Sequence, residues 1–141
     1  MKDTLHLIKV HFALLLVFVI FKLIRPPVLQ SQAPNWVKTT LLSLPNLFEA
    51  LIGILLLTAL GLYLNRNVLP EKRRIGPTAL YALVPILGGV YVITQELKIH
   101  NLGGPNVYDF NDLVFSVIGL VIGYVYLVVT KPGYTTTEGE H

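Results

Sequence analysis

Three carboxylates sit in or beside long apolar runs of this chain. Glu49 lies just inside the start of one run, Glu96 closes another beside Gln95, and Asp112 opens a third. Acidic side chains at such positions are costly, so each needs a reason. The chemistry open to them is acceptance of hydrogen bonds from a polar ligand, or relay of a proton by one acid among several. If the runs cross a membrane alternately, the second starts, the third ends and the fourth starts on the same side. Glu49, Glu96 and Asp112 are then expected at one depth, with Asn46, Gln95, His100, Asn111 and Ser116 at similar levels. The sequence therefore predicts a polar pocket built from Glu49, Gln95, Glu96, Asp112 and Ser116. A plainer reading is that acids favour helix N-termini, where the dipole stabilises them. That covers Glu49 and Asp112 but not Glu96, which sits near a C-terminus.

Other chemistries find no residues to carry them. The chain has no cysteine, so thiolate metal sites, disulfides and thiol catalysis are excluded. His6 and His11 are five apart, which is not a helical metal pair, and His100 is distant; no metal, haem or other cofactor is expected. There is no glycine-rich phosphate loop, no GxSxG and no HExxH, so the sequence is not read as an enzyme. The formal charge is +3 and the pI about 9.2. Nucleic-acid binding nevertheless lacks a suitable basic face.

The elements that must position these residues follow from composition. Of 141 residues, 53% are hydrophobic and only 13% charged, and mean hydropathy is +0.63. A soluble domain is nearer a quarter charged, so the apolar excess faces a bilayer. A spanning helix needs about 20 apolar residues, and four windows qualify, at about 7–24, 47–64, 78–97 and 112–129. The fold is expected to be all-α, a small bundle of four transmembrane helices forming one domain over 1–134, with a polar tail over 135–141. Breakers are expected to end each span: Pro26, Pro27 and Pro34, a short basic loop, then Gly103, Gly104 and Pro105. Ser31-Gln32-Ala33 resembles a cleavage triplet, but Pro34 follows it and Arg25 interrupts the approach. The first span is therefore read as an uncleaved signal anchor.

Lys and Arg set the orientation. With the N-terminus inside, the inner side carries seven of them (Lys2, Lys9, Arg66, Lys72, Arg73, Arg74 and Lys131) and the outer side four (Lys22, Arg25, Lys38 and Lys98). Both termini are thus expected to be cytoplasmic. In the fourth span Asp112, Ser116, Gly119 and Gly123 form one helical stripe. Its GxxxG pair permits close helix approach, as Gly53, Gly88 and Gly89 do in the second and third spans. Pro85 and Gly88-Gly89 are read as a packing kink, the alternative being a broken helix at a substrate site. Trp36, Tyr63, Tyr81, Tyr108, Tyr124 and Tyr126 mostly flank the spans, as an interfacial belt requires.

The stretch from Val92 to Tyr124 resembles the VanZ-like family of small bacterial membrane proteins. The residues that carry the likeness are Gln95 and Glu96, then Asp112, Ser116, Gly119 and Gly123, with Ser116 where an Asn is usual. The resemblance implies a bacterial inner-membrane protein with a role at the cell envelope, and no defined reaction. Together these readings lead to the expectation that an outer-leaflet acidic pocket engages the headgroup of a polar lipid or cell-wall precursor. The alternative is a non-catalytic accessory or structural subunit of a larger membrane complex. Expected partners are membrane lipids, other membrane subunits in the second case, and no nucleic acid.

Overall fold

A computed structural model of the chain describes residues 2–96 and 110–133, with the side chains of 2–4, 95 and 96 outside that description. Four helices account for nearly all of it: α1 (Lys2–Gln30), α2 (Asn35–Asn67), α3 (Pro77–Glu96) and α4 (Phe110–Thr130). Each is long and apolar enough to cross a membrane, which makes this an integral membrane protein. Such a bundle is dictated by the solvent: with no water in the hydrocarbon, every backbone N–H and C=O must pair within its own segment.

The helices are longer than the apolar windows. α1 continues through Pro26 and Pro27 to Gln30, and α2 begins at Asn35 and carries Pro45 inside it. The broad Pro-containing connection expected between the first two spans is reduced to residues 31–34. A proline removes one N–H and frees one carbonyl four residues back. Pro26 and Pro27 therefore free the carbonyls of Lys22 and Leu23, and both prolines fall within the last two turns of α1. The turn is tied locally: Ser31 Oγ donates to the Val28 carbonyl at 2.7 Å and accepts from Ala33 N–H at 3.2 Å. At 33 residues, α2 is about 50 Å long by its rise, against roughly 30 Å of hydrocarbon. Its first turns, with Trp36 at 72% exposure, form a collar suited to the interface.

α2 is the axis of the bundle. It packs against α1 on one side and against α3 and α4 on the other, α3 and α4 also touch, and α1 meets no helix but α2 among the described residues. Ile54, Leu55, Thr58, Ala59 and Leu62 of α2 lie in the core with Leu7 of α1, Leu80, Tyr81 and Val84 of α3, and Leu120 and Leu127 of α4. Phe18 and Phe21 of α1 stack obliquely on Phe48, with ring centroids 6.4 and 5.5 Å away. Tyr81 does not belong to an interfacial belt. It is buried, and its hydroxyl donates to the Pro132 carbonyl, pinning the end of α4 to α3.

Glycines fix the register between helices. A Cβ on Gly119 would lie 3.1 Å from Ala50 Cβ and collide with the Leu47 carbonyl oxygen; one on Gly123 would lie 3.3 Å from Leu51 Cδ1 and collide with Ile54. α4 therefore descends beside α2 in the same direction, at backbone contact, with Gly119 level with residues 47–50. α3 runs the other way, with Gly61 of α2 against Leu80 at 3.0 Å and Gly88 against Leu120 at 3.0 Å. Gly89 makes only ordinary contact with Leu120, at 3.8 Å. Gly53 is no packing glycine: nothing lies within 4 Å of a Cβ built on it.

Candidate functional site

One face of α2 carries Asn46, Glu49, Ala50, Gly53, Ile54 and Leu57, which recur at the three- and four-residue steps of a helical stripe. That face, the segment Leu87–Val92 of α3, and Ser116 and Leu120 of α4 enclose a cavity of about 530 Å³. Its wall is mainly hydrocarbon, with four polar side chains: Asn46, Glu49, Tyr91 and Ser116. The missing side chains of Gly53 and Gly88 are what leave the space open. Volume and composition fall in the range of sites that take small amphiphilic ligands.

The register places the polar groups deep. Glu49 lies level with Gly119, near the middle of α4, and α3 reaches the same height at Gly88. Asp112 opens α4, seven residues before Gly119, so it stands about 10 Å above Glu49 by helical rise. Asp112 does not line the cavity. Glu49 and Asp112 therefore do not share one depth. The reason is the early start of α2 at Asn35, which puts Glu49 well inside a helix rather than in its first turns. The backbone of Glu96 ends α3, while the side chains of Gln95 and Glu96, like Tyr108 and His100, lie outside the described residues.

Of the pocket expected from sequence, Glu49 and Ser116 come together and Asp112 stays apart. Asn46 and Tyr91 complete the site. Asn46 could have been found from its three-residue step to Glu49 on one α2 face. Tyr91 carries no signal of its own in the sequence; only the antiparallel packing of α3 brings it opposite α2.

Hydrogen bonding marks the site further. Ser116 is 5% exposed, and its hydroxyl has no partner among the described residues. A serine in a helix commonly bonds back to a carbonyl one turn earlier, as Thr58 does to Ile54 at 2.7 Å and Thr130 to Tyr126 at 2.7 Å. Asn46, Glu49 and the Tyr91 hydroxyl likewise have no hydrogen bond or ion pair among the described residues. Four polar side chains thus face one space with their bonding capacity unspent. Among the described residues, the fully buried polar atoms without partners, His11 Nδ1, Ser43 Oγ and Tyr126 Oη, lie away from the cavity.

A second hollow of about 410 Å³ lies between α3 and α4, bordered by Pro85, Ile86, Val121 and Tyr124. Its wall is almost wholly apolar. Pro85 belongs to this groove, and Gly88, one turn on, belongs to the polar cavity. No group of three or more His, Asp or Glu side chains that could hold a metal ion occurs among the described residues.

Compared with known proteins, this chain has no match: no family model, curated protein or solved structure matches it.

Proposed function

We propose that this integral membrane protein binds an amphiphile of the cell envelope. The apolar part lies between α2, α3 and α4, and the polar part meets Asn46, Glu49, Tyr91 and Ser116. One observation carries the reading: the hydroxyl of Ser116, a residue only 5% exposed, and the Glu49 carboxylate, neither with a protein partner among the described residues, line the same half-open cavity. Buried polar groups left unbonded cost free energy, and a ligand that bonds them recovers it. The Lys and Arg distribution supports an orientation with the Asp112 end outside and both termini in the cytoplasm. The likeness of Val92–Tyr124 to the VanZ-like family supports a bacterial inner-membrane location and an envelope role. Binding rather than catalysis is the activity proposed, because among the described residues neither the Ser116 nor the Tyr91 hydroxyl is hydrogen-bonded to a general base and no metal-ligand set occurs.

Lipid analysis of the purified protein tests this. A lipid or lipid-linked precursor should copurify with the wild type and be depleted in a Glu49→Ala/Ser116→Ala variant of equal membrane abundance. Identical lipid content in both would overturn the reading.

A second reading, an accessory subunit of a larger membrane complex, is favoured by α1. Among the described helices it packs on α2 alone and leaves Phe12, Leu16 and Leu23 exposed, a flank that a neighbouring subunit would cover. Gentle extraction and native mass measurement decide it: a species of 15.7 kDa alone removes this reading.

A further inference from the structure

We propose that the group recognised in the cavity is a positive charge: an organic ammonium borne on a compact alkyl body, held by Glu49. The proposal rests on the reading of this cavity as an amphiphile site and adds the sign of the ligand. Among the described residues that line the cavity, Glu49 is the only acid, and there is no Lys, Arg or His. Among the described residues, the cations of the upper half are Lys22 and Arg25 of α1 and Lys38 in the first turns of α2, and none of them borders the cavity. Lys22 is already engaged, its ammonium 5.6 Å from the centre of the Phe18 ring.

A phosphate or carboxylate entering this space would meet a like charge that no described lining residue offsets, an arrangement that rejects such partners. A cation meets the opposite. Glu49 supplies the counter-charge, Asn46 and Ser116 supply oxygen acceptors, and the Tyr91 ring on the facing wall suits an alkylated ammonium. Depth narrows the class further. Glu49 stands near the middle of the spans, where a charge without a partner is costly. An inorganic cation would have to shed a tightly held water shell to reach it. An alkylammonium is weakly hydrated and brings methylenes to cover Gly53, Leu57 and Leu87. The half-open side of the cavity lets such a molecule enter from the bilayer with its chain still in hydrocarbon.

The test uses the full chain in nanodiscs, with empty nanodiscs as baseline, and three radiolabelled probes of equal chain length: dodecyltrimethylammonium, dodecyl phosphate and dodecanol. The wild type should bind the ammonium at least tenfold more tightly than either other probe. Glu49→Gln should lose at least tenfold of that affinity, and Glu71→Gln, in the exposed basic loop, none. Gly53→Leu should abolish binding, because a Cβ there meets open space and the added side chain fills the cavity rather than clashing. Helical content and monodispersity of each variant establish that it folds. A preference for dodecyl phosphate, or undiminished ammonium binding by Glu49→Gln, overturns the charge assignment while leaving an amphiphile site, provided Gly53→Leu still blocks. If no probe binds the wild type, or Gly53→Leu binds as well as it does, the cavity reading itself falls and the charge assignment with it.

Discussion

At the scale of single residues, stability and ligand binding should separate. Glycines that look alike in sequence sit in different surroundings. A methyl on Gly119 meets the Leu47 backbone carbonyl, which cannot swing away, whereas a methyl on Gly88 meets the Leu120 Cδ2 tip at 3.0 Å, and one on Gly53 meets nothing. Overpacking of a tight contact costs about 1–3 kcal/mol, while a change into open space stays within about 0.5 kcal/mol. Thermal unfolding in detergent should therefore rank Gly119→Ala as clearly destabilised, Gly88→Ala as mildly so, and Gly53→Ala as unchanged. Equal loss at all three positions would contradict the register of α4 on α2. Ser116→Ala should behave oppositely to an ordinary core change. It removes a cavity-lining hydroxyl with no partner among the described residues, so stability should hold within about 0.5 kcal/mol or rise, while binding in the cavity weakens. A drop in melting temperature with unaltered binding would make Ser116 structural. The GxxxG stripe was legible in sequence; which glycines touch backbone and which border space was not, because that depends on the neighbouring helix.

At the scale of elements, the connection between α2 and α3 is a built structure rather than a loose link. Asn65 near the end of α2 donates from Nδ2 to the Ile75 carbonyl at 2.7 Å and accepts the Ile75 N–H at Oδ1, also at 2.7 Å. Between them a 3₁₀ turn over Glu71–Arg73 is closed by Arg73 N–H donating to the Pro70 carbonyl at 2.8 Å. The Arg74–Glu71 pair at 3.9 Å is exposed and adds little. The two amide bonds set where α3 starts and hold Lys72, Arg73 and Arg74 outside the helices. Asn65→Ala removes both, at about 1 kcal/mol each. Limited trypsin digestion of the purified protein should then cut at Arg73 and Arg74 several-fold faster, with the four helices intact. An unchanged rate would show that the clamp does not order the loop. The sequence marked this segment as a short basic loop but could not disclose the clamp, since Asn65 and Ile75 pair across ten positions with no periodic signal. The first connection was misread for a different reason. Pro26 and Pro27 signal breaks in a water-soluble chain, whereas a membrane helix carries prolines where neighbouring groups satisfy the freed carbonyls.

At the scale of the whole molecule, four spans were readable because the bilayer leaves few alternatives to a helix, and their number and order are those the apolar windows indicate. Depth was not readable. Placing Glu49 beside Asp112 assumed that α2 starts where its apolar window starts; α2 starts at Asn35, and the carboxylate moves to the middle of the spans. Charge placement still gives an orientation, since Arg66, Lys72, Arg73, Arg74 and Lys131 lie at one end of the bundle and Asp112 at the other. The absence of cysteine makes both conclusions testable on one background, because any introduced thiol is the only one. Single cysteines at positions 112, 49 and 73 should report three different environments to a membrane-impermeant maleimide added to intact cells. Asp112→Cys should label at once from outside. Arg73→Cys should label only after permeabilisation, since the proposed orientation puts the basic loop on the cytoplasmic side. Glu49→Cys, about 10 Å below Asp112 by helical rise, should resist a bulky impermeant reagent on either side and yield to a small lipid-soluble one. Labelling of Arg73→Cys in intact cells would invert the orientation, and equal labelling of positions 49 and 112 would return Glu49 to the level of Asp112 and remove the mid-span depth on which its role depends.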